Sequence, residues 1–327
     1  MLHLFSSLAL AWHSAAQNPE LHFMLASPWI ILPVLALGAS VGSFLNVVMI
    51  RVPRGESIVS PPSHCMSCGA AIPWYDNIPI LSYLILRGRC RRCKAKFSPA
   101  YAVTEAITAV LALACFFHAR TDAPWLHLSR FLAEFAFVSV LIVLAGIDAK
   151  TWILPNRIVL PAIPVFWSMA VLTHELTWSD ALIGASAGFV VLALVILGYG
   201  LATGRMGMGW GDAKLMAALG AFLGWKALPL IILLGSFQGL LAAIVMLSMG
   251  KTSRPTEPYR PLSDEEPQAK EGSHDEGTGA TKDDELAEQL SHPDSWRHTA
   301  LPFGPFLALA AIETLFFQQR LLDLWLS

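Results

Sequence analysis

The 327-residue sequence predicts an all-α polytopic membrane protein of about eight transmembrane helices, with a small zinc-ribbon-like cytoplasmic domain between the first two spans. Three observations predict it. The chain is 55% hydrophobic and only 14% charged, with a mean hydropathy of +0.55, too little charge to cover a soluble domain. Apolar runs recur at Trp29–Ile50, Tyr101–His118, Phe131–Ile147, Ile158–Thr173, Ala181–Leu201, Asp212–Trp225, Ala227–Met249 and Pro302–Leu322. Several approach the ~20 residues that cross a bilayer core as helix, and the Gly-rich run from Asp212 is the weakest of them. Between the first two runs stand two Cys-x-x-Cys pairs.

The chain opens with an apolar stretch ending in Ala15-Ala16, but this stretch carries His3 and no Lys or Arg. It is expected to be a retained tail and not a cleaved signal peptide. Basic residues set the orientation. The first loop holds Arg51, Arg54, Arg87, Arg89, Arg91, Arg92, Lys94 and Lys96 against Glu56 and Asp76, which the positive-inside rule puts in the cytoplasm. Eight spans then leave both termini outside and the loops at 148–157, 202–214 and 250–300 inside. Arg157, Arg205, Lys214, Lys251 and Arg254 agree with that assignment.

The two large hydrophilic segments differ in kind. Arg51–Pro99 mixes prolines, aromatics (Trp74, Tyr75, Tyr83, Phe97) and cysteines in the manner of a small folded domain. Residues 250–300 carry twelve acidic side chains against six basic ones and almost no large apolar residues, so a disordered acidic insertion is expected there.

Cys65-Met-Ser-Cys68 and Cys90-Arg-Arg-Cys93 sit beside turn formers (Gly69, Gly88), as in the knuckles of zinc ribbons. Four thiolates at this spacing close a tetrahedral site, for which structural Zn²⁺ is the usual occupant. Four cysteines leave no open position for catalysis, so the expected role is to fold a domain too small to stand alone. The competing readings are two disulfides, which a reducing cytosol disfavours, a redox pair, and unliganded core cysteines. Cys115, inside the second run, reads as a packing residue.

Asp148 follows the apolar run that ends at Ile147, and Asp212 closes Gly207-Met-Gly-Trp-Gly-Asp. Carboxylates bordering spans are costly, so each is a functional candidate. Both fall at the cytoplasmic boundary in the orientation above, one at a helix end and one at a helix start. Gly209 and Gly211 remove bulk beside Asp212 and would let a peptide substrate approach. Two carboxylates held together cannot both ionise cheaply, and such a pair can activate water with one member and protonate with the other. Taken singly, each aspartate is equally compatible with a charge placed at a helix terminus.

Taken together, the motifs resemble the bacterial type IV prepilin peptidases. They run in order from Gly42-Ser-Phe-Leu-Asn-Val-Val and Pro53 through both cysteine pairs, with Trp74-Tyr-Asp-Asn-Ile-Pro-Ile-Leu-Ser-Tyr between them. Glu105, the Asp148 segment, Gly209-Trp-Gly-Asp212 and Pro302-Phe-Gly-Pro-Phe complete the series. The resemblance implies a GxGD-type aspartic peptidase that removes the short basic leader of type IV prepilins and pseudopilins at the cytoplasmic face of the bacterial inner membrane. It implies Asp148 and Asp212 as the catalytic pair and Cys65, Cys68, Cys90 and Cys93 as the tetracysteine motif. It further implies methylation of the new N-terminus with S-adenosylmethionine; no βαβ unit of a soluble methyltransferase is present in the sequence. Many members carry Asp where this chain has Asn156.

The expected division is a periplasmic tail (1–28), a first helix (29–50), the tetracysteine domain (51–100), a transmembrane peptidase core (101–249), the acidic insertion (250–300) and a last helix (301–327). Asn46 and Glu105, polar in apolar spans, are candidates for a methyl-transfer or substrate site, with interhelical hydrogen bonding as the alternative. The expected partners are prepilins and the lipid bilayer, not nucleic acid. The alternative functions are a peptidase without methyltransferase activity, or a membrane scaffold or transporter with a structural zinc knuckle.

Overall fold

The computed structural model describes residues 27–119, 124–173, 176–203, 208–249 and 301–326. All but the last two residues of the predicted tail (1–28), and the whole acidic insertion (250–300), lie outside them. The described helices are α1 (Pro28–Arg51), α2 (Leu81–Ile85), α3 (Ala100–His118), α4 (Pro124–Thr151), α5 (Asn156–Thr173), α6 (Trp178–Thr203), α7 (Trp210–Leu223), α8 (Leu228–Ser248) and α9 (Gly304–Leu326). Apart from the short α2, each helix coincides with one predicted apolar run. Six of them (α1, α3, α4, α5, α6 and α8) are long and apolar enough to cross a membrane, and the apolar part of α9, Gly304–Phe317, is shorter.

Local chemistry sets the helix ends. Pro28 opens α1 in the first turn, where a backbone N–H would have no helical partner. Thr177 starts α6: its Oγ1 accepts from the Asp180 N–H (3.1 Å) and donates to the Asp180 carboxylate (2.7 Å). Trp152, with φ +58, stops α4, its N–H bonding the carbonyl of Asp148 at 2.9 Å.

α7 is the odd member. Fourteen residues rise only about 21 Å, short of the ~30 Å bilayer core. From Asp212 to Leu223 every residue except Lys214 is buried, because α5, α6, α8 and α9 pack around it. Small residues permit this. A Cβ on Gly184 of α6 would run into the carbonyl of Gly220, and a Cβ on Gly220 into that of Gly184. One turn on, a Cβ on Gly188 would stand 2.5 Å from the carbonyl of Met216. Gly184 and Gly188 therefore form a small-x-x-x-small stripe that lets α6 and α7 touch backbone to backbone. Phe137 of α4 stacks on Phe222 of α7 at 4.1 Å, and Phe166 of α5 meets both rings edge-on.

A second glycine stripe joins α1 to α3. Gly38 faces Ala109 and Ala112, and Gly42 faces Glu105 and Thr108, each too close for a Cβ. Leu45, Val48 and Met49 of α1 then pack on Val143 and Ile147 of α4. At the far end of α3, His118 Nδ1 lies 3.0 Å from both carboxylate oxygens of the buried Glu134 on α4. α4 is thus shared by the N-terminal helix pair and the C-terminal bundle.

Candidate functional site

Asp148 stands one turn from the C-terminal end of α4 and Asp212 in the first turn of α7, as the sequence predicts. The fold brings them within electrostatic reach of one another, and both are buried (4% and 8% exposed). The two flanking glycines do different things. Gly211 packs against the α4–α5 connection, where a Cβ would lie 3.0 Å from that of Leu154, so its bareness draws α7 toward the Asp148 segment. Gly209 is extended (φ −80, ψ 147), and among the described residues Gly211 N, at 3.9 Å, is the nearest atom its Cβ would meet.

A third residue completes the pair, and the sequence reading does not single it out. Gly304, first residue of α9, donates its backbone N–H to Asp148 Oδ2 at 3.0 Å. A Cβ there would stand 2.6 Å from the same oxygen. The signal was present in Pro302-Phe-Gly-Pro-Phe, but nothing in a sequence says that this turn folds back across the bundle onto a residue 156 positions away. Asn156, the departure noted above, accepts a 2.8 Å hydrogen bond from Lys214 Nζ through Oδ1, an oxygen that Asp would also provide.

Asn46 and Glu105 each have a backbone partner of their own. Asn46 Nδ2 donates to the carbonyl of Tyr101 at 3.1 Å, between α1 and α3. Glu105 Oε2 accepts the Ile80 N–H at 2.7 Å, tying α3 to the loop that leads into α2.

The four cysteines do converge. Their sulfurs all lie within 4.8 Å of one another, with Cys65 and Cys93 at 3.8 Å and no disulfide formed. A tetrahedron with ~2.3 Å metal–sulfur bonds has sulfurs ~3.8 Å apart, whereas a disulfide needs ~2.05 Å. The two knuckles repeat one another. Cys65 N–H bonds Ala70 O and Cys90 N–H bonds Ala95 O, while Gly69 (φ +68) and Lys94 (φ +60) make the same left-handed turn. Backbone amides of Cys68 and Ser67 donate to Cys65 and lower its thiol to about 6. At Cys93 the Ala95 amide opposes the shift, but burial and the three neighbouring sulfurs push the thiol up to about 11. Four thiolates in this space repel unless a cation sits among them, so the donor set fits a metal ion. Around it, Asp76 accepts a bidentate pair from Arg91 (2.6 and 2.7 Å), and the guanidinium holds its carboxyl below the usual range.

Fold and site define a polytopic membrane protein that joins a four-cysteine domain to a helical bundle with a buried carboxylate pair. The chain belongs to the type IV leader peptidase family, whose profile matches residues 135–244 and takes in both aspartates. The bacterial peptidase A24 N-terminal domain matches residues 36–119. Among similar proteins, the prepilin leader peptidase/N-methyltransferase of Myxococcus xanthus is 35% identical over 90% of each chain. That of Burkholderia pseudomallei is 30% identical over 93% of this chain and 91% of its own. The Neisseria gonorrhoeae protein of the same name is 38% identical over 67% and 83%. No solved structure matches the chain.

Proposed function

We propose that this protein is an aspartic endopeptidase that removes the short basic leader of type IV prepilins and pseudopilins, with Asp148 and Asp212 as its catalytic pair. The observation that carries the reading is the approach of two buried carboxylates from separate helices inside a mainly apolar bundle. Nothing in packing alone rewards such a pair, which is costly in a membrane and is most simply kept for chemistry. One proton shared between the two lets the pair act as base and acid together at a peptide bond.

The active site belongs on the cytoplasmic side of the inner membrane. Trp178 and Trp225 are exposed at one end of the bundle, with Trp225 Nε1 3.3 Å from the Asp180 carboxylate, and they suit an interfacial belt. From there, the pairing of Gly184 with Gly220 and of Gly188 with Met216, continued one turn further, supports a position for Asp212 level with residue 192 of α6. That is about 21 Å along the helix, roughly two thirds of the way through the bilayer core. At that depth the pair meets the start of a substrate's apolar helix, while the basic leader stays in the cytosol.

The second activity is N-methylation of the new N-terminus. S-adenosylmethionine would supply the methyl group from its sulfonium, the amine losing a proton as the N–C bond forms. The four-cysteine domain offers a cavity of about 300 Å³ lined by Tyr75, Asp76, Phe97, Leu86, Arg91 and Arg92, with aromatic faces and polar groups suited to a nucleoside. Cys65, Cys68, Cys90 and Cys93 would hold Zn²⁺ to fold that domain.

The test is cleavage of a model prepilin by detergent-solubilised wild type, Asp148→Asn and Asp212→Asn, with mass analysis of the product N-terminus. The expected result is leader removal by wild type alone and a mass increase of one methyl on its product. A variant that cuts at near the wild-type rate would make that aspartate structural, and a product without the methyl would reduce the protein to a peptidase.

A further inference from the structure

The last helix begins where Asp148 ends its contacts, and three facts about that meeting fit together. The first backbone N–H groups of any helix lack a helical acceptor. In α9 the helical bonds of this end start from the Phe303 carbonyl, which receives Phe306 N–H and Leu307 N–H at 3.1 Å. Pro305 has no N–H to offer. Gly304 therefore presents a lone forward-pointing amide, and this amide goes to Asp148 Oδ2 in a buried site. Glycine is needed twice over. A Cβ would enter the carboxylate's space at 2.6 Å, and a residue with a side chain just before proline resists helical dihedrals. Gly304 also lies outside the stretches matched by either family profile.

We propose that Gly304 is a positioning residue whose backbone amide fixes which aspartate activates water. An amide can only donate, so it favours Oδ2 of Asp148 as the charged oxygen and leaves the shared proton to Asp212. The positive end of the α9 dipole points the same way. During cleavage the Asp148 carboxylate takes a proton from water as the water oxygen bonds to the scissile carbonyl carbon. Asp212 gives its proton to the carbonyl oxygen. The tetrahedral adduct then collapses: the C–N bond breaks, the proton on Asp148 passes to the leaving amine, and the hydroxyl proton returns to Asp212. One water is consumed and both carboxyls regain their starting states.

The inference rests on the aspartate-pair reading, and the two are tested apart. In the prepilin cleavage assay, Gly304→Ala is expected to lower kcat about 100-fold with KM within about twofold of wild type, as for a misplaced catalytic group. Its melting midpoint in detergent should fall, as overpacking requires, and the assay is run well below that midpoint so that kcat is read on folded protein. Gly239→Ala on α8 is the control, since its Cβ would meet Phe306 of α9 and Phe303 just before that helix at ordinary distances of 3.6–3.9 Å. It should cleave normally. Normal kcat in Gly304→Ala, or an equal loss in Gly239→Ala, overturns the proposal even if Asp148→Asn and Asp212→Asn are inactive. Should Gly304→Ala fail to fold, hydrogen exchange of the Gly304 amide decides between wild type and Asp148→Ala. Faster exchange in Asp148→Ala supports the bond, and equal exchange removes it.

Discussion

Glu105 illustrates how a single buried carboxylate is explained by its partner. Ile80 has φ +61, a conformation that a β-branched residue adopts at a cost, and it sits where the loop from Pro73 turns into α2. The Ile80 N–H reaches Glu105 Oε2 at 2.7 Å, and Gly42 of α1 lies close enough to Glu105 Cα to exclude a Cβ. Removing the acceptor orphans that N–H, at about 1–3 kcal/mol. Glu105→Leu should therefore loosen the loop from Trp74 to Leu86, visible as faster proteolysis there, while Glu105→Gln keeps an oxygen and stays close to wild type. Equal digestion of all three proteins would show that the bond does not hold the loop. The sequence offers Glu105 and Asn46 as polar residues in apolar spans, either for a methyl-transfer or substrate site or for interhelical hydrogen bonding. It could not choose between substrate and backbone as the partner, because Ile80 lies 25 residues before Glu105, in a separate domain.

Among the elements, α7 departs most from what hydropathy conveys. Its run from Asp212 to Trp225 is shorter than its neighbours, and hydropathy cannot tell a short lipid-facing helix from one enclosed by four others. The periodicity of small residues carries that information: Gly184 and Gly188 of α6 are spaced for a close crossing, and so are Gly38 and Gly42 of α1. Which helix each stripe meets is settled only by the fold. Gly220→Ala should lower the melting midpoint sharply, since overpacking against a backbone carbonyl costs about 1–3 kcal/mol or more. Gly198→Ala, on the same α6 but with nothing within 4 Å among the described residues, should be neutral or raise the midpoint, by up to about 1 kcal/mol of helix propensity. Thermal unfolding of both in detergent tests the crossing. A neutral Gly220→Ala would mean that α6 and α7 do not touch as described.

At the scale of the whole molecule, the four-cysteine domain and the aspartates share one end of the bundle. Met49, two residues before α1 ends, packs its sulfur against Gly146, two residues before Asp148. The domain hangs between Arg51 and Ala100, and Arg51 itself grips it, donating to the carbonyls of Ser57 (2.9 Å) and Pro61 (2.7 Å). It holds little regular structure of its own: one helix of five residues, a single 3₁₀ turn and two isolated bridges. A domain this small has little core of its own, and a metal ion held by the four sulfurs would add the stability that its packing does not supply. The helical bundle, in contrast, keeps its Phe137–Phe166–Phe222 knot and its glycine crossings without any such ion. Metal removal should therefore divide the molecule. Purified protein is expected to carry one zinc per chain by elemental analysis. Chelation, or Cys68→Ser, should open residues 57–97 to protease while leaving the resistance of α4 to α8 unchanged. If the Asp148–Asp212 pair works independently of that domain, a prepilin peptide should still be cut after the metal has gone, though its product should no longer be methylated. Loss of cutting in step with the metal would mean instead that the clamp at Arg51 and the Met49–Gly146 contact carry the state of the domain into the end of α4, where Asp148 sits.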